Sequence, residues 1–216
     1  MQIYSRALRR FGIGAAALLF SGQVLALEIS PFVSMGVTFG GDTLDEVAVG
    51  DPKKNKTESI KAGQFMYFST GATVALPEPG DWEVQSSVGY WFDSVQTGGR
   101  EMRFRRVPID VLLARSFDKS WRVLGGLTYH VKPQRRCTLD ACPQPSSAFK
   151  NAKGLVIEAD WLFGGVVTRV VGAEEPRPTK LWMGARMTLI EYKTTDANAT
   201  KYSGNNFGLT LGLNFF

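Results

Sequence analysis

Alternation of apolar with polar or small residues recurs in segment after segment from about residue 29 to the end of the chain, and no stretch after residue 27 holds a period of 3.6. The first segment sets Ile29, Val33, Met35, Val37 and Phe39 against Ser30, Ser34, Gly36 and Thr38; the second sets Met66, Phe68, Ala72, Val74 and Leu76 against Tyr67, Ser69, Gly71 and Thr73. In the third, Trp82, Val84, Val88, Tyr90 and Phe92 alternate with Glu83, Gln85, Ser87, Gly89 and Asp93. The fourth places Val107, Ile109, Val111 and Leu113 opposite Arg106, Asp110 and Ala114, and the fifth places Trp121, Val123, Leu127, Tyr129 and Val131 opposite Arg122, Gly126, Thr128, His130 and Lys132. Segments six, seven and eight run through Leu155–Phe163, Leu181–Leu189 and Phe207–Phe215 in the same way. A two-residue period with one apolar and one polar face, repeated eight times over spans of about ten residues, is what a strand needs when lipid lies on one side and a polar lumen on the other. The expected fold is all-β: an eight-stranded antiparallel transmembrane β-barrel of the outer-membrane type.

The connections support that expectation. Residues 40–63, 94–101, 133–152 and 194–203 are longer and polar, while Pro77–Asp81 and Ser116–Lys119 are short and rich in turn formers, as the outer loops and inner turns of such barrels are. The stretch Thr168–Pro178 is longer than an inner turn requires. Trp82 and Trp121 follow short turns, and Tyr90, Phe92, Tyr129, Tyr192 and Tyr202 lie toward the opposite strand ends, which predicts two aromatic girdles at the membrane interfaces. A soluble sandwich or lipocalin-like barrel would reverse the two faces and put the charged set in water.

Residues 1–26 read as an export signal: Arg6, Arg9 and Arg10 precede an apolar run from Phe11 to Phe20 and the small-residue exit Val24-Leu25-Ala26. The run is too short for a spanning helix, and Phe11 directly after Arg9-Arg10 favours the general secretory route over a twin-arginine one. The predicted organisation is signal peptide 1–26 and barrel 27–216. Cleavage removes three arginines and no acid, so the net charge falls from +5 to +2, and nothing in the balance calls for a nucleic-acid partner. Cys137 and Cys142, the only cysteines, would meet an oxidising periplasm and close a loop disulfide; with a single distant His they fall short of a zinc site, and no cofactor is expected.

In overall pattern, and in the last strand Gly208–Phe216 (GLTLGLNFF), the chain resembles the small outer-membrane β-barrel proteins of the OmpA and OmpX kind. The family ends its last strand on Phe after alternating apolar positions; here the alternation runs to Phe215 and leaves Phe216 one residue beyond it. The resemblance implies integral location in the outer membrane and insertion by the barrel-assembly machinery; a monomer is expected.

Three constellations are candidates for function. The predicted lumen holds Glu28, Glu83, Asp110, Glu158 and Asp160 with Arg106, Arg122 and Arg186, a set that would fill a narrow barrel as a paired polar network. Arg100, Arg103, Arg105, Arg135 and Arg136 form a basic rim suited to lipopolysaccharide phosphates. Some barrels of this size deacylate lipid A with a His, a Ser and a carboxylate; Thr128, His130 and Glu158 or Asp160 offer a loose counterpart, with Thr for Ser and in reverse order. The principal expectation is a non-enzymatic barrel with a structural or surface-interaction role that contacts lipopolysaccharide; the alternatives are a lipid A-modifying enzyme and a narrow channel for small solutes.

Overall fold

The computed structural model describes residues 29–48, 57–77, 81–97, 100–118, 120–138, 146–163, 166–168 and 177–215. Residues 1–28, Cys142 and much of the long first loop, among the features named above, lie outside the described residues.

Eight strands make the wall: β1 Ile29–Gly40, β2 Phe65–Ala75, β3 Trp82–Thr97, β4 Arg100–Ser116, β5 Trp121–Cys137, β6 Ala152–Leu162, β7 Arg177–Lys193 and β8 Asn206–Phe215. Each pairs antiparallel with its chain neighbour, and β1 pairs with β8 from Phe32 opposite Asn214 to Gly40 opposite Asn206, so the sheet closes. Closure leaves the wall without an unpaired edge. Five short strands decorate it among the described residues. Thr43–Ala48 and Thr57–Lys61 pair as a hairpin between β1 and β2, Ser146–Ala148 adds to β5, and Lys201–Ser203 adds to the end of β7. Val166–Thr168 pairs with Arg177–Thr179, so strand pairing continues into the stretch that looked too long for a turn.

The turns at the other end follow local chemistry. Asp118 Oδ1 accepts the backbone N–H groups of Ser120 and Trp121 at 2.6 and 2.7 Å, an Asx arrangement that reverses the chain between β4 and β5.

The two faces of the wall are inverted relative to a soluble barrel. Large apolar side chains, among them Val33, Met35, Val88, Ile109, Val111, Leu127, Leu155, Ile157, Leu209 and Leu211, stand exposed all round the outside, whereas Arg106, Arg122, Asp110, Glu158, Asp160 and Arg186 are buried within. So continuous an apolar surface is stable only against hydrocarbon. Trp121 stacks on Trp161 at 6.2 Å, and Trp161 meets Phe163 at 4.5 Å, forming an aromatic cluster at the short-turn end; Phe68, Phe92 and Tyr90 form another toward the long-loop end.

Two expectations need correcting. Tyr192 and Tyr202 are not girdle residues: Tyr192 is fully buried inside the barrel, and Tyr202 packs against the interior cluster beside Phe149. Lys132 is exposed rather than inward, because β5 carries a bulge there. The register passes from Arg105 opposite Gln134 to Val107 opposite Val131, so Lys132 and Pro133 together oppose Arg106. Lys132 takes φ +47°, the only positive φ of a non-glycine among the described residues, and its N–H is held at 2.9 Å by Asn151 Oδ1. The extra residue exchanges the two faces beyond it and turns Arg135 and Cys137 inward.

Candidate functional site: lumen network and cationic rim

Interior charge is organised around two arginines. Arg122, on β5, donates from Nε to Asp160 at 2.9 Å, with Nη2 of the same ion pair 2.7 Å from that carboxylate, and reaches Glu83 at 3.5 Å; its guanidinium also lies 5.4 Å from the Trp182 ring. Arg186, on β7, bridges Asp110 across the interior at 2.7 Å and Glu158 on the neighbouring strand at 3.2 Å. Period-two alternation delivers all of these to one face, since Glu158 and Asp160 are two apart on β6 and oppose Arg186 and Gly184. Glycine at 184 leaves room for them: a Cβ there would lie 2.2 Å from Asp160 Oδ1.

Arg106 is held differently. No nitrogen of its buried guanidinium has a hydrogen-bond partner among the described residues, and the group lies 4.6, 5.1 and 5.7 Å from the ring centroids of Trp91, Phe104 and Tyr192. Cation–π attraction from three rings offsets part of its desolvation. Above it the interior turns apolar: Met102, Phe104, Phe149, Ile190 and Tyr192 pack with Leu44, Ile60 and Ala62 of the connection between β1 and β2. A second apolar cluster, Leu112, Ala114, Leu124 and Val156, lines the wall beside the charges. The lumen is therefore layered, with ion pairs under an apolar cap.

His130 and Thr128 face inward from β5 and are buried. His130 Nδ1 lies 2.6 Å from the Tyr192 hydroxyl, and its ring meets Trp91 edge-on at 5.6 Å. Glu158 is committed to Arg186. The three candidates for lipid chemistry thus lie behind the wall, while an acyl chain would run along its outside.

The basic rim divides in two. Arg103 lies directly opposite Arg136 and Arg105 opposite Gln134 on the outer face of β4 and β5, around a recess of about 50 Å³ that Glu101 and Thr138 complete. Glu101 Oε1 accepts Arg103 Nε at 2.9 Å, and Arg105 Nη2 donates to Gln134 at 3.0 Å. Arg135 is inside instead, donating to the Leu44 carbonyl and to Asp45 at 3.1 Å each, and to Ser147 at 3.0 Å. Sequence reading grouped it with the outer rim because a bulge leaves no periodic signature. Arg100 begins β4 beside them. Cys137 ends β5, buried, and no described cysteine is free.

No family model matches the chain, and no curated protein does. Among solved structures it is similar to Ail, the attachment invasion locus protein of Yersinia pestis, crystallised in complex with the heparin analogue sucrose octasulfate. The two share 9% identity, with 88% of this chain and 97% of that one covered at a TM-score of 0.49.

Proposed function

We propose that this chain is an integral outer-membrane barrel with a structural and surface-interaction role, and that its outward cationic triad Arg103, Arg105 and Arg136 holds lipopolysaccharide phosphates. The observation that carries this reading is the change along the outside of β3, β4 and β5. Lipid-facing Val88, Ile109, Val111 and Leu127 give way to Tyr90 and Phe92, with Arg105 directly opposite Phe92 and Arg103 and Arg136 just beyond. Like charges directly across a strand pair repel, and Glu101 offsets only one charge of the triad through its pairing with Arg103, so a further anion beside Arg105 and Arg136 lowers the repulsion that remains. At the level of the lipid headgroups that anion is a phosphate.

Export through the signal peptide 1–26, insertion by the barrel-assembly machinery and a monomeric state complete the reading. A Cys137–Cys142 bond braces the third extracellular loop at the end of β5, where the Cys137 side chain is buried. The layered lumen serves as a rigid plug.

The test is co-purification. The intact protein and its Arg103→Ala/Arg136→Ala variant are extracted from the outer membrane, and lipopolysaccharide per barrel is measured by mass spectrometry. The variant is expected to retain much less; equal retention in the two would remove the lipopolysaccharide role.

A further inference from the structure

On the extracellular side, above the apolar cap, three connections converge on a cup of about 260 Å³. The hairpin after β1 supplies Leu44 and Asp45, β5 supplies Arg135, the strand added to it supplies Ser147 with Phe149 just after, and the connection between β7 and β8 supplies Asp196, Thr200 and Tyr202. It lies inside the rim, apart from the outward triad of Arg103, Arg105 and Arg136.

We infer that this cup binds a single neutral pyranose unit of a glycan, with the sugar ring against Tyr202 and its hydroxyls on Asp196 and Arg135. Size is the first reason: the volume lies just below the roughly 300–1,000 Å³ of pockets for drug-sized ligands, so it accommodates one ring and not an extended chain. Surface chemistry is the second. Tyr202 is half-buried and meets Phe149 in a T-shaped contact at 6.0 Å and 73°, which fixes an aromatic wall of the kind that packs on the C–H face of a pyranose. Around that wall stand the polar groups that vicinal hydroxyls require: the exposed Asp196 carboxylate, the Thr200 hydroxyl and the guanidinium of Arg135.

Arg135 is the independent pointer. Its side chain is nine-tenths buried, both Nη atoms are occupied by Leu44, Asp45 and Ser147, and Nε, itself buried, has no acceptor among the described residues. A buried donor left unpaired costs about 1–3 kcal/mol, and a small shift of the Arg135 side chain, which lines the cup, presents Nε to a sugar oxygen there. Charge sets the class of ligand. Asp45 offsets Arg135 at 3.1 Å, which leaves Asp196 to give the cup an acidic balance that rejects sulfated or phosphorylated sugars.

The experiment is saturation-transfer NMR on the mature protein, refolded in a zwitterionic detergent that carries no sugar. The probes are methyl β-glucopyranoside, methyl β-galactopyranoside and N-acetylglucosamine, with a sulfated glucose for comparison. Transfer to the ring protons of at least one neutral probe is expected, at millimolar affinity. Tyr202→Ala should weaken it by about tenfold or more. Asp196→Asn, an exposed change that leaves the fold alone, should weaken it too and carries the test should Tyr202→Ala fail to fold. No transfer from any neutral probe, transfer unaffected by both substitutions, or preference for the sulfated sugar would overturn the proposal. Arg103→Ala/Arg136→Ala should leave the signal intact, so this result and the lipopolysaccharide result stand or fall separately.

Discussion

The His130 imidazole on β5 and the Tyr192 hydroxyl on β7 meet at 2.6 Å inside the barrel, a contact that passes over β6 and ties two non-adjacent strands. Tyr192→Phe keeps the ring and its edge contact with Phe104 but leaves a buried imidazole nitrogen unpaired. The expected cost is about 1–3 kcal/mol. It should appear as a lower urea midpoint for the barrel refolded in lipid vesicles.

The two arginine centres should differ in their sensitivity. Arg186→Met strands two buried carboxylates, Asp110 and Glu158, whereas Arg122→Met strands the buried Asp160 and a half-exposed Glu83. Removing one partner of a buried pair costs about 3–5 kcal/mol. The expectation is that Arg186→Met loses more stability than Arg122→Met in the same urea titration; the reverse order would contradict the burial of these groups.

Close approach at Gly212 offers a steric test. Trp182 lies over it and donates from Nε1 to Asn214 Oδ1 at 2.9 Å, while a Cβ at 212 would come within 2.2 Å of the indole. Gly212→Ala must displace the indole, and destabilisation of about 1–3 kcal/mol is expected. Loss of fluorescence from a shielded tryptophan would accompany it.

Arg135 and Arg136 are adjacent in sequence and opposite in orientation. Arg135→Ala should loosen the extracellular hairpin by releasing Asp45 and the Leu44 carbonyl, read as faster hydrogen exchange over residues 43–48, with lipopolysaccharide retention unchanged. Arg136→Ala should do the converse. Matching effects from the two would mean that the bulge at Lys132 does not turn β5 over.

That bulge also marks the limit of what could be read from the chain. Strict alternation assigned Glu83, Arg106, Asp110, Arg122, Glu158, Asp160 and Arg186 to one face, and the wall has them on the inside, because period two is geometric and a closed barrel enforces it. The assignment failed beyond Val131, where one extra residue reverses parity without changing composition. Alternation was also silent where both faces are apolar, as at Trp91-Phe92, Leu112-Leu113 and Trp182-Met183, so the aromatic and aliphatic filling of the lumen was hidden. The cup could not be seen at all, since Asp45, Arg135, Phe149 and Tyr202 are brought together from four separate parts of the sequence.

β8, β1 and β2 are consecutive around the wall, and none of them contains an Asp, Glu, Lys or Arg. The ion pairs of the lumen all lie among β3 to β7. The junction between the first and last strands is therefore set in an electrically silent sector. It can part or zip shut without separating a single one of those pairs, so the gate through which the cylinder is completed is uncoupled from the charges that stiffen the rest of it.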